Sequence, residues 1–176
     1  METTIKLARP AKAAANFFIS KGLAENAPLT PMKLQKLLYF AQGWSLAITD
    51  EAMFDEQIEA WKYGPVVRSV YTIFRDSGSG PITEPAPTYH IEGKLFKGGT
   101  VRSEIISLVN KADRDLAEVV WASYAGMSAA QLVALTHREG TPWYKVWQEY
   151  KGDIPKGTDI PRSEIKAYFK QLLAEI

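Results

Sequence analysis

The stretch LTPMKLQKLLYFAQGWSLA, residues 29–47, constrains the fold more than any other part of the chain. Thr30 followed by Pro31 supplies an N-cap and a proline in the first helical turn, where the missing N–H removes no helical hydrogen bond. At 100° per residue, one face of the following helix carries residues typical of a core: Leu34, Leu37, Leu38, Ala41, Trp44, Ser45 and Ile48. A chain of 176 residues is long enough to bury such a face, and we expect a single domain over residues 1–176.

The other half of this helix also carries apolar residues, set among charged and small side chains. Two alternatives explain the excess: either the rest of the domain surrounds the helix, or a partner protein covers its second half. Under the second alternative, the helix contributes these partner-binding side chains: Lys33, Lys36, Tyr39, Phe40 and Leu46. The charges of Lys33 and Lys36 are then expected to lie at the surface.

Composition excludes several classes of protein. The chain has 21 Lys and Arg against 20 Asp and Glu, so its net charge of +1 creates no bulk field that would draw it onto a polyanion. The absence of Cys excludes a disulfide framework and the usual Cys-rich zinc sites. Glu2 stands where a signal peptide would be basic, and no run of about 18 apolar residues occurs. We therefore expect a cytoplasmic protein without a membrane span.

Helical signals dominate the rest of the chain. Capping residues, apolar periodicity and stop signals predict helices at 11–23, 66–74, 103–111, 113–124, 128–137 and 143–150. A further amphipathic helix is predicted to start near Pro161 or Ser163, because Ile165, Phe169 and Leu172 share one face. The sequence thus predicts a mainly α class, a compact bundle of about seven or eight helices, and leaves open one small β-hairpin or short sheet.

Two segments contain strand-forming residues. Residues 57–64 alternate in the manner of one short strand, and residues 88–96 are predicted to form a hairpin turning at Glu92 and Gly93. The second segment lies within 76–100, a Gly- and Pro-rich stretch that is too long for an ordinary connection. Such a stretch is either a binding element or disordered, and its apolar residues, Tyr89, Ile91, Leu95 and Phe96, leave both alternatives open.

Three motifs follow one another along the chain: KLQKLLY at 33–39, EAWKYGPVV at 59–67 and LTHREGTPW at 135–143. In their order and spacing they resemble the Panacea domain, the antitoxin domain of toxin–antitoxin pairs that includes SocA-like and phage-associated GepA-like proteins. The resemblance covers residues 12–148. It implies a largely helical domain that neutralises a cognate protein toxin by direct binding. Some members of the family deliver the toxin to a protease, so a protease is a second candidate partner.

The motif residues also have a local interpretation. Gly64 before Pro65 gives a turn, and the fixed φ of Pro65 suits the start of a helix. Trp61 and Tyr63 are predicted to bind the partner, because large amphipathic aromatics are enriched where proteins meet, and burial in the core is the alternative. We expect structural roles for the remaining motif positions: Leu34, Leu38, Trp44, Gly64, Pro65, Tyr71, Thr136, His137, Pro142 and Trp143.

The sequence carries no recognisable catalytic signature. The histidines, His90 and His137, stand without an HExxH pattern, so neither a metal nor another cofactor is expected. The run DSGSGP at 76–81 lacks the preceding strand and following helix of a nucleophile elbow. We expect His137 to be a helix-terminal or hydrogen-bonding residue and predict no catalytic residues.

DNA binding by this domain has little support. Lys6, Arg9 and Lys12 form a small basic stripe, but no helix has the Arg-, Asn- and Gln-rich character of a recognition helix. We therefore predict a non-enzymatic antitoxin of unspecified oligomeric state. Two alternatives from other classes stay open: an adaptor that delivers a toxin to a protease, and an uncharacterised hydrolase.

Overall fold

The computed structural model describes residues 8–93 and 99–176, and this part of the chain holds seven α-helices and four short strands. The helices are α1 (Ala11–Ala24), α2 (Pro31–Thr49), α3 (Arg68–Phe74), α4 (Lys111–Tyr124), α5 (Ala129–Thr136), α6 (Pro142–Glu149) and α7 (Arg162–Ala174). The strands are β1 (Glu59–Trp61), β2 (Gly64–Val66), β3 (Thr88–Glu92) and β4 (Thr100–Glu104). They pair as two separate antiparallel hairpins, β1–β2 and β3–β4. The predicted mainly α class with small hairpins is confirmed.

Helix α2 is the centre of the domain. Thr30 Oγ1 accepts a hydrogen bond from the Lys33 N–H, Pro31 is the first helical residue, and Asp50 in the left-handed region ends the helix. Helices α1, α3, α4, α5 and α7 and strand β2 all pack against it. Leu34 and Leu38 are fully buried. The domain itself therefore surrounds α2, which was the first of the two alternatives.

The predicted division of α2 into a core half and an outer half is wrong. Tyr39, Phe40 and Leu46 are buried inside the domain, whereas Ile48, which the helical wheel assigned to the core, is 53% exposed. The cause is helix α7. It packs against the half of α2 that was expected to be free, because its Phe169 ring inserts among the aromatic side chains of α2.

Gly43 allows that insertion. A Cβ at this position would overlap the ring of Phe169, so only glycine lets α7 approach α2 this closely. Trp44 lies edge-to-face against Phe169 at 5.1 Å between ring centroids, and its indole N–H donates to the Tyr124 hydroxyl at 3.0 Å. Trp44 is half-buried rather than a full core residue. It joins α2 to both α7 and α4.

Lys33 is also engaged within the domain. Its ammonium donates to the carbonyl oxygen of Ala125, the residue that follows α4, at 2.6 Å. A cation at this position is favourable because the carbonyl end of a helix carries partial negative charge. Burial lowers the pKa of Lys33. Lys33 therefore ties the start of α2 to the end of α4.

The chain that follows α2 returns along it, and polar side chains of α2 bind its backbone. Gln42 Oε1 accepts from the N–H groups of Met53 and Phe54 at 2.8 and 3.2 Å, and its amide donates to the Phe54 carbonyl at 3.0 Å. Gln35 Oε1 accepts from the Val67 N–H at 2.7 Å, and its amide donates to the Val67 carbonyl. Both glutamines are buried, so these bonds satisfy groups that water does not reach.

The sequence located most helices well. Helices α1 and α4 to α7 begin within two residues of their predicted positions. The helix predicted at 66–74 begins at Arg68 instead, because Val66 pairs with Glu59 in the β1–β2 hairpin. The predicted helix at 103–111 is wrong. Its first two residues belong to β4, which pairs with β3 along its whole length.

The first strand of the hairpin predicted within 88–96 is confirmed as β3, but this strand pairs with a later segment of the chain than predicted. Strand β3 ends before Gly93, and its partner among the described residues is β4. The predicted apolar residues Leu95 and Phe96 lie outside the described residues, as do Glu2 and Lys6. Buried Asn16 on α1 holds both ends of this hairpin, because its amide donates to the carbonyls of Ala86 and Ile106 at 3.0 and 2.9 Å.

We expect Gln42→Ala to destabilise the domain by about 2–4 kcal/mol, since the change leaves two buried N–H groups and one carbonyl without their partner. The free energy of unfolding, measured by urea denaturation, checks this prediction. Gln148→Ala, at an exposed position of α6, is the matched control and should change stability by less than about 0.5 kcal/mol. Equal stability of the two variants would contradict a structural role for the Gln42 bonds.

Candidate functional site

The three sequence motifs meet at the β1–β2 hairpin. Trp61 pairs with Gly64, and Lys62 and Tyr63 form the tip between them. Gly64 has φ +102°, a conformation that residues with a side chain rarely adopt, and a Cβ there would lie 2.9 Å from Thr136 Oγ1. Glycine at this position therefore allows the hairpin to turn while it packs closely on helix α5.

Side chains from the other two motifs hold the carbonyl groups of this hairpin. The three pairs of atoms are Lys36 Nζ with Pro65 O at 3.1 Å, Trp143 Nε1 with Trp61 O at 2.8 Å, and His137 Nε2 with Lys62 O at 3.4 Å. They come from α2, from the start of α6 and from the end of α5. The hairpin tip is thus fixed by its own domain before any partner binds.

The third motif forms the corner between α5 and α6. Thr141 caps α6, because its hydroxyl accepts from the Tyr144 N–H at 3.2 Å, and Pro142 is the first residue of that helix. The Thr141 hydroxyl also donates to the Thr136 carbonyl at 2.8 Å, which closes the corner. His137 packs its ring against Trp143, with 3.7 Å between centroids. Local capping thereby places His137 and Trp143 against the hairpin.

Lys36 lies beneath the hairpin rather than at the surface, so its predicted exposure is wrong. Its side chain is fully buried, and its ammonium donates to the Pro65 carbonyl. A Cβ on Gly64 would lie 3.0 Å from Lys36 Nζ, which shows how closely the turn covers the amine. Burial lowers the pKa of Lys36 from 10.5 to about 7, because the charged form loses its hydration.

A second set of contacts fixes Trp61 from the outer side. Arg68 forms two bonds with the Glu59 carboxylate at 2.6 and 2.7 Å, and the Trp61 indole N–H donates to the same carboxylate at 2.8 Å. The Arg68 hydrogen bonds lower the pKa of Glu59. The Trp61 ring meets Tyr71 edge-to-face at 4.7 Å. Trp61 is therefore a half-buried part of the hairpin, and Tyr71 supports it.

A groove runs beside the hairpin, and we call it the aromatic groove. Its larger part has a volume of about 580 Å³ and is lined by Lys62, His137, Trp143, Tyr144, Trp147, Gly152, Asp153 and Ile154. Its smaller part, about 280 Å³, is lined by Ala60, Trp61, Lys62, Ile154, Pro155 and Lys156. Lys62 and Ile154 line both parts, so the two parts adjoin each other, and Tyr63 follows Lys62 in the chain.

Three aromatic rings give the larger part of the groove its character. Trp147 lies nearly parallel to Trp143 and to Tyr144, with interplanar angles of 23° and 24°. Trp147 is 39% exposed. Sequence reasoning missed Tyr144, Trp147, Asp153, Ile154 and Lys156. A signal was present for one of them, because Trp147 lies four residues after Trp143 and shares its face of α6.

The predicted partner-binding residues divide into two groups. Tyr63 is 58% exposed at the hairpin tip and Trp61 is half-buried beside it, so both lie where a partner can reach. On α2, Lys36, Tyr39, Phe40 and Leu46 are buried, whereas Lys33 is half-buried against the end of α4. A role for the four buried residues in partner binding would require the domain to open.

A separate cavity of about 860 Å³ lies between the start of α1 and the start of α4, and its lining includes Arg9, Glu51 and Asp113. Among residues 8–93 and 99–176, His, Asp and Glu side chains form no group of three suited to a metal ion. Of the predicted basic stripe, Arg9 forms an ion pair with Asp113 at 2.5 Å and Lys12 donates to the Pro87 carbonyl. No single helix of the described part is long and apolar enough to cross a membrane, and α4 and α5 meet those criteria only as a pair bent by 105°.

We expect Lys36→Met to flatten the dependence of stability on pH. Because the folded-state pKa of about 7 lies below the unfolded value of 10.5, the unfolded wild-type chain binds more protons between these pH values. The free energy of unfolding of the wild type should therefore rise with pH over this window, by at most about 1.4 kcal/mol per pH unit. Urea denaturation at several pH values measures the slope.

Lys111→Met is the control for this experiment, because Lys111 is exposed and paired with Asp115. It should keep the wild-type slope. Lys36→Glu should destabilise the domain strongly, since a buried carboxylate would face the Pro65 carbonyl. A wild-type slope in Lys36→Met would show that Lys36 is not the titrating group.

Comparison with known proteins agrees with this geometry. The profile of the family described as antitoxin SocA-like, Panacea domain, matches residues 34–144, which contain the β1–β2 hairpin and the side chains that hold it. The antitoxin SocA of Caulobacter vibrioides (strain NA1000 / CB15N) is 35% identical over 136 residues, covering 76% of this chain and 68% of that protein. No solved structure matches the chain. The chain belongs to the SocA-like antitoxin family that is defined by the Panacea domain.

Proposed function

We propose that this chain is the antitoxin of a toxin–antitoxin pair and that it neutralises a cognate protein toxin by direct, stoichiometric binding. The observation that carries the proposal is the convergence of all three family motifs on one hairpin whose tip, Lys62 and Tyr63, is exposed. Lys36, His137 and Trp143 each hold a carbonyl of that hairpin. The motifs thus support a surface, and they do not surround a buried reaction centre.

The hairpin tip has the properties of a protein-binding surface. Tyr63 is exposed, and the backbone on either side of it is already fixed by the domain. A surface that is rigid before binding loses little conformational entropy when the partner docks. Exposed aromatic residues are common anchors of such interfaces. We therefore place toxin contacts at Tyr63, at the exposed edge of Trp61 and along the adjoining aromatic groove.

The surroundings of His137 favour binding over catalysis. Its Nδ1 lies 2.8 Å from the Val133 carbonyl and its Nε2 lies 3.4 Å from the Lys62 carbonyl, so both nitrogens face backbone oxygens. The neighbouring hydroxyl of Thr136 is buried and donates to the same Val133 carbonyl. These contacts suit a residue that holds the hairpin.

We expect neutralisation to be stoichiometric. A titration of the toxin encoded by the adjacent reading frame should show inhibition that rises linearly with added protein and saturates at a fixed molar ratio. His137→Ala, provided it folds, should keep most of that inhibition. In a separate experiment, the wild-type protein should still neutralise the toxin in a host that lacks the protease. Full inhibition at about a hundredth of the toxin concentration would indicate an enzyme and overturn the proposal.

We also expect Tyr63→Ala to weaken toxin binding by at least about tenfold, because it removes the most exposed aromatic side chain of the motif surface. Tyr89→Ala is the matched control, because Tyr89 has a similar exposed fraction and lies on the β3–β4 hairpin, which contains none of the three motifs. Isothermal calorimetry gives both affinities. A larger loss for Tyr89→Ala would move the binding surface to the other hairpin.

A further inference from the structure

The two parts of the aromatic groove differ in polarity. The larger part is lined by aromatic rings together with Asp153, and the smaller part is lined by Lys62 and Lys156 with no carboxylate. Lys62 lies at the junction of the two. The groove therefore has an aromatic end and a cationic end, although the chain as a whole is nearly neutral.

The two lysines of the cationic end form no ion pair among the described residues, whereas Lys145 on nearby α6 is paired with Glu164 at 2.7 Å. The Lys62 ammonium lies over the Tyr63 ring, 5.4 Å from its centroid. This exposed cation–π contact is weak, so it leaves Lys62 able to bind a carboxylate. Glu59 feels the positive charge of Lys156, but its carboxylate is already bound by Arg68 and by the Trp61 indole. A carboxylate supplied by a partner would complete this end of the groove.

The backbone beside the groove excludes one common way of binding a peptide. Strand β1 pairs with β2 on one side, and on the other side the Ala60 N–H donates to the Thr158 carbonyl at 2.8 Å. The Ile58 carbonyl accepts from the Ile160 N–H at 2.8 Å. Both edges of β1 are therefore occupied, so a segment in the groove cannot pair with this strand. Recognition in the groove then depends on the side chains that line it.

The aromatic end suits an apolar side chain of an extended segment. Trp147 presents part of its ring to solvent, and Tyr144 and Trp143 lie nearly parallel to it. Grooves lined by near-parallel aromatic rings bind extended peptides through apolar or proline side chains. Gly152 lets the loop after α6 pack closely against another part of the Trp147 ring, since a Cβ there would lie 3.2 Å from the indole nitrogen.

We propose that the aromatic groove binds an extended acidic segment of the toxin, with an apolar side chain against Trp147 and a carboxylate between Lys62 and Lys156. This inference rests on the proposed function, because the occupant is the neutralised protein. The inference adds the chemistry of recognition. The bound segment has one apolar anchor at the aromatic end of the groove and one acidic group at the cationic end. Charge complementarity at Lys62 and Lys156 gives the orientation.

The test measures the affinity of the protein encoded by the adjacent reading frame by calorimetry at two salt concentrations. Lys62→Glu and Lys156→Glu should each weaken binding by at least about tenfold and reduce the dependence of affinity on salt. Trp147→Ala should weaken it by about thirtyfold or more. Lys111→Glu, an exposed lysine on α4 outside the groove, should stay within about twofold of wild type.

Overlapping synthetic peptides that cover the toxin locate the occupant, with Trp fluorescence of the antitoxin as the signal. An acidic peptide that binds wild type and competes with the intact toxin, but does not bind Lys62→Glu, supports the inference. Lys62→Glu is the safer variant because Lys62 is an exposed turn residue, whereas Trp147→Ala also removes a contact of the Gly152 loop.

Three outcomes would overturn the inference. If wild type binds the toxin and both lysine variants bind it equally well, the groove is not the site, although the proposed function stands. If wild type does not bind the toxin, the proposed function fails and the inference fails with it. If a single-stranded oligonucleotide binds wild type but not Lys62→Glu while toxin affinity is unchanged, the groove serves a nucleic acid instead.

Discussion

The burial of α2 on all sides is the constraint on which the rest of the structure depends. Polar side chains on a helix surrounded by its own domain need partners within that domain, because an unpaired buried polar group costs stability. Gln35, Gln42 and Lys36 find them in backbone groups of the chain that follows the helix, and Ser45 does so with the Glu51 carbonyl. Among the described residues, the Tyr39 hydroxyl has no such partner. The polar residues of α2 therefore determine the path of residues 51–67.

That path determines where the candidate site lies. Residues 51–67 end in the β1–β2 hairpin, so α2 sets the position of the hairpin and Lys36 supports it from beneath. Helices α5 and α6 complete the support through His137 and Trp143. The result is a short hairpin whose backbone is held from inside while its tip and the aromatic groove face solvent. Such a surface suits the partner-binding role expected of an antitoxin.

The sequence predicts well those features that are encoded locally. The cap and proline at Thr30 and Pro31 located α2, and the capping serine of α5 located that helix, because both signals act within one turn. The helix predicted at 103–111 failed because strand β4 is selected by pairing with β3, a non-local interaction. The predicted exposure of Lys36 was wrong for a related reason. A helical wheel treats lysine as solvated, but the backbone partner of Lys36 lies 29 residues further along the chain.

The candidate site was predictable in part. Trp61 and Tyr63 were identified from residue type alone, but the groove beside them combines α6 with the loop after it, and their proximity is a tertiary property. The helical wheel correctly found an excess of apolar residues on α2, yet it could not identify what covers them. Phe169, some 130 residues further along the chain, packs on that half through the space that Gly43 provides.

Hydrogen–deuterium exchange of the chain with and without its toxin tests the central claim most directly, because it maps the contact surface without changing any residue. The account predicts that the toxin slows exchange at the hairpin tip, residues 61–64, and along residues 143–157, which line the groove. Exchange in the middle of α2 should already be slow in the free protein and should not change. Slowed exchange confined to the β3–β4 hairpin, or opening of α2 when the toxin binds, would contradict the account.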